Sequence, residues 1–129
     1  MDLKQFDFDP AKDLDGVWQS VGDSQFLVAR DGNPNFEAVR QRKVAEHRDA
    51  LLKGDEAAAK LYEQILIESC AETILLGWKN VQFRGKDLPY SQEAALEMLK
   101  MYGFRNIIVR MAGDVDLYLR EEEAADVKP

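Results

Sequence analysis

The chain has 129 residues, of which 46% are hydrophobic and 32% are charged, and its formal net charge is −7. This length predicts one domain, and the acidic balance repels a nucleic acid backbone. No basic-then-apolar segment predicts a secretory signal, and no apolar run approaches the ~18 residues that span a bilayer. We therefore expect a cytoplasmic protein that binds neither nucleic acid nor membrane.

The first third of the chain predicts an acidic arm followed by a β-hairpin. Residues 1–15 contain five aspartates without sustained periodicity, so we expect a flexible arm. Residues 16–30 alternate apolar and polar side chains around a Gly-Asp-Ser turn at 22–24, as hairpins do. A lone hairpin is marginally stable in water, so one face, carrying Trp18 or Phe26, should pack on helices.

Four amphipathic segments after the hairpin predict helices. Asn33 and Pro34 suit the start of the first helix, Asp55 can cap the second, and Ser91 can cap the third. The predicted helices cover residues 34–53, 55–77, 91–102 and 104–120, and residues 121–129 form an acidic tail. The expected fold is mainly α within the α+β class. It is a single domain over residues 16–120, in which a small hairpin packs on a bundle of about four helices.

The sequence offers little for catalysis or metal binding. His47 is the single histidine, without a second His or Cys at metal-ligand spacing. Cys70, the single cysteine, lies inside an apolar helical pattern, which predicts a packed thiol and not a nucleophile. No glycine-rich phosphate loop or nucleophile elbow occurs. We therefore predict a protein that is not an enzyme and has no catalytic residues, cofactor or metal site.

The first predicted helix carries the basic residues Arg40, Arg42, Lys43 and Arg48. Phosphate binding is one interpretation of this cluster, but acidic neighbours dilute it and no aromatic ladder accompanies it. Pairing with an acidic protein surface is favoured, and Arg40, Lys43 and Arg48 are the predicted charged contacts. Trp18 is the candidate apolar anchor for a partner, although we expect its role to be packing of the hairpin.

A tract after the second predicted helix combines packing and turn residues in a distinctive order. It reads ILLGWKNV at 74–81 and GKDLPYSQEAA at 85–95, with Leu99 after it. Upstream, FLVAR at 26–30 precedes a helix opened by NPNF at 33–36. Together these segments resemble the tail assembly chaperones of long, flexible-tailed bacteriophages. The helix opening departs from that pattern, since Gln-Glu replaces the expected Glu-Asn and so changes the capping detail.

The resemblance implies a non-enzymatic chaperone that binds the tape measure protein and assists polymerisation of the tail tube protein. It would act in the cytoplasm of the infected bacterium and be absent from the mature virion. A tape measure protein is a long, largely helical rod, which a helical domain can cover in a helix-in-groove mode. Self-association into an open, head-to-tail oligomer is also expected, with the basic helix of one copy meeting the acidic tail of the next.

Two other functions remain open from the sequence. A small acidic phage or bacterial regulatory protein that acts by protein–protein binding would have a similar composition, and its N-terminal aspartates would suit a basic partner. A nucleic acid binder would need the basic helix exposed and the acidic regions turned away. We rank the chaperone first, the regulator second and the nucleic acid binder third.

Overall fold

Helices and two small antiparallel sheets make up the computed structural model, which describes residues 1–121. The helices are α1 (Pro10–Asp15), α2 (Pro34–Glu46), α3 (Arg48–Leu52), α4 (Glu56–Thr73), α5 (Gln92–Leu99) and α6 (Tyr102–Ala112). The strands are β1 (Val17–Val21), β2 (Ser24–Val28), β3 (Leu75–Lys79), β4 (Gln82–Phe83) and β5 (Lys86–Asp87), and 3₁₀ turns cover Leu3–Phe6 and Val115–Tyr118. The predicted class, mainly helical α+β, is confirmed. Most of the predicted acidic tail, residues 122–129, lies outside the described residues.

The strands β1 and β2 form the predicted hairpin through a two-residue turn. Gly22 has a φ of 57°, and Val21 pairs with Ser24 across the turn. Because φ is positive at Gly22 but not at Asp23, the second central residue, the turn is type II′, whose twist matches that of the flanking strands. The turn therefore fixes the register of the two strands.

The hairpin gains a third strand, β3, from residues that the sequence analysis placed in a helix. This strand pairs antiparallel with β2 and brings Trp78 opposite Phe26. The helix α4 accordingly ends at Thr73 instead of residue 77. The apolar run that begins at Ile74 is buried in either conformation, so its periodicity does not separate strand from helix. Residues 75–79 form a strand because they pair with the free edge of β2.

Other helix boundaries also differ from the predicted ones. The helix predicted over 34–53 is broken at His47, where φ is −115° and ψ is 22°. The helices predicted over 91–102 and 104–120 are shorter and cover Gln92–Leu99 and Tyr102–Ala112. Gly113 is the C-cap of α6 and not an interior residue.

The predicted helix caps are confirmed. The side chains of Asn33, Asp55 and Ser91 each accept a hydrogen bond from the backbone N–H three residues later. These contacts satisfy amides that have no partner inside the helix. Local side-chain chemistry thus sets where α2, α4 and α5 begin.

The N-terminal segment, expected to be a flexible arm, packs against the rest of the chain. Phe8 forms a β-bridge with Leu119. The guanidinium of Arg30 lies 4.0 Å from the centroid of the Phe8 ring and forms an ion pair with the buried carboxylate of Asp13. These partners are distant in the sequence, so local periodicity does not reveal them.

The core lies between the three-stranded sheet and the helices α4, α5 and α6. Trp78 and Tyr90 fix the connection from β3 to α5 onto this core. The indole N–H of Trp78 donates to the carbonyl of Leu88 at 2.7 Å, and the hydroxyl of Tyr90 donates to the carbonyl of Leu75 at 2.8 Å. The two rings meet edge to face, with their centroids 5.1 Å apart.

Removing the hydroxyl of Tyr118 should destabilise the fold. This side chain is fully buried, donates to the carbonyl of Val28 at 2.9 Å and accepts from Gln19 at 3.0 Å. Tyr118→Phe removes both hydrogen bonds inside the core, so the free energy of unfolding in urea should fall by about 1–3 kcal/mol. Tyr102→Phe, at a side chain that is 73% exposed, is the control and should change nothing measurable. Equal stability of the two variants would contradict this role of Tyr118.

Ionisation of the same hydroxyl should lower the free energy of unfolding at alkaline pH. Burial raises the pKa of Tyr118 from 10.0 to about 12. The folded state therefore keeps its proton at a pH where the unfolded state loses it. The resulting stability is fully present below pH 10 and is lost as the pH rises towards 12. Tyr118→Phe should flatten the fall of the unfolding free energy across this interval, and an unchanged slope would contradict the assignment.

Candidate partner-binding surfaces

The predicted basic cluster of α2 faces carboxylates of α4. The ammonium of Lys43 lies 3.3 Å from Glu68 and 3.8 Å from Glu72, and its side chain is only 17% exposed. The guanidinium of Arg42 lies 3.8 Å from Glu46 and 3.9 Å from Glu72. The cluster is therefore largely neutralised within the molecule.

Two pKa shifts accompany this pairing. Burial acts to raise the pKa of Glu68, but hydrogen bonds from Gln64 and Lys43 outweigh it and hold the pKa below its ordinary value. Arg40 donates to Glu37 at 2.6 Å, and this hydrogen bond raises the pKa of the guanidinium. Both groups therefore keep their charge at neutral pH.

Arg48 is placed differently from Arg40 and Lys43. It begins α3, beyond the break at His47, is exposed, and makes no ion pair with any residue in 1–121. Among the three predicted charged contacts, Arg48 therefore keeps its charge available on the described surface. Sequence reasoning missed the carboxylates that engage Lys43 because they lie on another helix, the nearer one 25 residues further along the chain.

An open groove of about 380 Å³ lies between α2, α3 and α4. The chain reverses at Gly54, where φ is 62°, and α4 then begins at the Asp55 cap. The groove is lined by Val44, Leu51, Gly54, Asp55, Ala58, Ala59 and Tyr62. Tyr62, one of these lining residues, is 40% exposed. This mainly apolar surface was not identified from the sequence, where the break that creates α3 is not apparent.

Trp18 lies on the outer face of the sheet and not against the helices. It pairs with Leu27, and a Cβ placed on Gly77 would lie 3.5 Å from its Cη2 atom, so the indole covers that glycine. The ammonium of Lys79 lies 4.1 Å from the ring centroid, and 43% of Trp18 remains exposed. Phe26, on the opposite face, packs the hairpin on the core. The expected packing role of Trp18 is thus limited to the sheet, and its exposed part can contact a partner.

A second groove, of about 320 Å³, lies beside the charged residues between α4 and α5. It is lined by Lys43, Glu68, Ala71, Glu72, Gln92, Glu93 and Leu96. One carboxylate oxygen of Glu72 is buried there without a hydrogen-bond partner among the described residues. This groove therefore offers charged groups, in contrast to the apolar groove of α2, α3 and α4.

Cys70 and His47 are the two residues whose side chains the sequence analysis weighed as a nucleophile and a metal ligand. Burial raises the pKa of Cys70 to about 12, so its thiol stays protonated at neutral pH, and the predicted packed thiol is confirmed. His47 is exposed between α2 and α3. Within residues 1–121, no group of three or more His, Cys, Asp or Glu side chains is arranged to hold a metal ion. In the same part of the chain, no helix has the length and apolar character needed to cross a membrane.

The fold and these surfaces define a small, acidic, mainly helical α+β protein with apolar and charged groups open to contact. The model of the YdaY prophage protein family matches residues 31–129, which is well over half of the chain. The chain therefore belongs to the YdaY prophage protein family and is phage-derived. No curated protein and no solved structure matched it. The matched region contains the basic cluster and the apolar groove, whereas Trp18 and the hairpin precede it.

Lys43 should contribute more to stability than an exposed lysine in a similar pair. Lys43→Met removes the cation that Glu68 and Glu72 share, so the unfolding free energy should fall by about 1 kcal/mol at neutral pH. Because the pKa of Glu68 is lowered from 4.5, this contribution is present above pH 4.5 and lost as the pH falls below it. The difference between wild type and variant should therefore shrink in acid.

The matched control is Lys60→Met. Lys60 pairs with Glu56 at 3.5 Å, but the two side chains are 78% and 86% exposed, so no measurable change is expected. Urea denaturation of both variants at several pH values makes the comparison. Equal effects of the two substitutions would show that the pairing of Lys43 with α4 adds no stability.

Proposed function

We propose that this protein is a non-enzymatic tail assembly chaperone that binds the tape measure protein of its phage and assists tail tube polymerisation. It acts in the cytoplasm of the infected bacterium and is absent from the mature virion. The observation that carries the proposal is the apolar groove between α2, α3 and α4, which lies inside the region that matches the prophage family. The resemblance of the tract at 74–95 to tail assembly chaperones supports the choice among phage functions.

The groove suits one face of an amphipathic helix. Its volume of about 380 Å³ has room for a few apolar side chains, and Tyr62 on its lining is 40% exposed. Exposed apolar surface on a highly charged protein is typical of a protein-binding site. Arg48 on α3 is available to pair with a carboxylate on the polar side of a bound helix. A partly apolar helical rod is the kind of partner that such a site would keep soluble.

The residues behind the resemblance have structural roles. Trp78 and Tyr90 join β3 to α5, and Ser91 caps α5. Trp78 belongs to the core that carries α4 and Tyr90 packs against it, so these residues support a shared fold and, through it, a shared function. The internal pairing of Lys43 and Arg42 argues against nucleic acid binding, since phosphates would have to displace carboxylates already in place.

Self-association into an open, head-to-tail oligomer forms part of the proposal. Arg40 and Lys43 are engaged within their own molecule, and Glu121 lies 3.2 Å from Lys12. A charged contact between the basic helix of one copy and the acidic tail of the next would therefore depend on Arg48. This is a weaker contact than the whole cluster would have provided.

Co-expression with the tape measure and tail tube proteins of the source phage tests the proposal. We expect pull-down on this chain to recover the tape measure protein, which should become insoluble when this chain is omitted. Tyr62→Glu should reduce recovery severalfold, because it places a charge on the lining of the apolar groove. The measurement is the amount of tape measure protein in the soluble and bound fractions.

Tyr102→Glu is the matched control for this substitution. Tyr102 is also an exposed tyrosine, but it lies on α6 and does not line the groove. Its variant should recover the partner as wild type does. Recovery of neither phage protein by a folded chain would reject the chaperone proposal and place the regulator first. Equal recovery by both variants would move the binding site away from the groove.

A further inference from the structure

One edge of the three-stranded sheet is open. The strand order is β1-β2-β3, so β1 and β3 are the two edges. At the β3 edge, Leu75, Gly77 and Trp78 are buried, and the carbonyl of Leu75 already accepts a hydrogen bond from the hydroxyl of Tyr90. Within residues 1–121, the backbone groups of Trp18 and Ser20 make no hydrogen bond outside the sheet. The edge of β1 is therefore the one that can accept another strand.

The register shows which groups face this edge. The two-residue turn makes Val21 and Ser24 the hydrogen-bonded closing pair, and such pairs alternate along an antiparallel ladder. Val17, Gln19 and Val21 accordingly bond to β2. Trp18 and Ser20 point their N–H and C=O groups away from the sheet, and both residues are exposed.

Natural sheets usually protect an open edge with a charged residue, a proline or a bulge. The sequence of β1, VWQSV, contains neither charge nor proline. The one register shift in the sheet lies between Leu27 and Val28, where β2 meets β3. The β1 edge thus lacks the usual features that prevent strand addition. Sheet edges that bind an extended peptide as an extra strand have this property.

The charges beside β1 indicate what can pair there. Asp15 and Asp23 lie two residues before and two residues after the strand, are exposed, and form no ion pair with the described residues. In an antiparallel pairing of two copies about Gln19, the Asp15 that ends α1 of one copy and the Asp23 in the turn of the other would lie at the same end of the strand pair, and these like charges repel each other. The net charge of −7 adds to this repulsion. A second copy is therefore disfavoured.

We propose that the β1 edge binds an extended, uncharged segment of another protein that is flanked on both sides by Lys or Arg. The segment adds a fourth, antiparallel strand, with its backbone on Trp18 and Ser20 and its basic ends opposite Asp15 and Asp23. An apolar side chain of the segment packs on the exposed part of the Trp18 ring. This interface is separate from the apolar groove and lies outside the family match, so it does not depend on the proposed chaperone function.

A synthetic nine-residue peptide tests the interface on the full chain. It carries lysine at each end and alternating threonine and valine between, and the comparison peptides have glutamate ends or N-methylated alternate amides. We expect the lysine peptide to bind and to slow amide hydrogen exchange at Trp18 and Ser20, measured by NMR. The double variant Asp15→Lys/Asp23→Lys should bind it about tenfold more weakly. Both comparison peptides should bind wild type more weakly than the lysine peptide.

The control double variant is Asp49→Lys/Glu63→Lys, which changes the net charge equally at two exposed positions on α3 and α4, helices that pack on each other and on α2. It should bind the lysine peptide nearly as wild type does. Equal weakening in both double variants would overturn the proposal, because it would show only long-range attraction. Unchanged exchange at Trp18 and Ser20 would overturn it as well. Protection of these amides through dimerisation of the chain alone would assign the edge to a second copy instead.

Discussion

The pairing of β3 with β2 is the contact on which the rest of the structure depends. It places Trp78 beside Phe26 in the core, at a centroid separation of 6.4 Å, and ends α4 at Thr73. Tyr90 then binds the carbonyl of Leu75 and sets the start of α5. Without this strand the hairpin would have no partner, and a two-stranded hairpin alone is barely stable in water.

Some charged side chains are paired within the molecule, and others are exposed and can contact a partner. The cations of α2 are turned towards α4, where their carboxylate partners hold them, whereas Arg48 lies beyond the break at His47 and stays exposed. The aspartates differ in the same way. Asp13 is buried against Arg30, but Asp15 and Asp23 are exposed beside β1. Net charge alone therefore says little about which residues meet a partner.

The two proposed interfaces lie on different parts of the molecule and would bind different kinds of segment. The groove of α2, α3 and α4 is apolar, lies within the family match and fits a helix face. The β1 edge offers backbone groups and fits an extended segment. A phage assembly protein that binds a long helical partner and a second, extended one could hold both at once, since neither site overlaps the other.

The sequence by itself determined the α+β class, the hairpin with its turn, and the starts of α2, α4 and α5, because turns and caps depend on neighbouring residues. It also named Arg40, Lys43, Arg48 and Trp18 as candidate contacts without separating them. Only the tertiary structure decided that 75–79 is a strand, that Phe8 and Asp13 dock the N-terminal segment, and that Lys43 is already paired. Each of these depends on partners far along the chain, and a local pattern holds no information about which distant residue comes into contact.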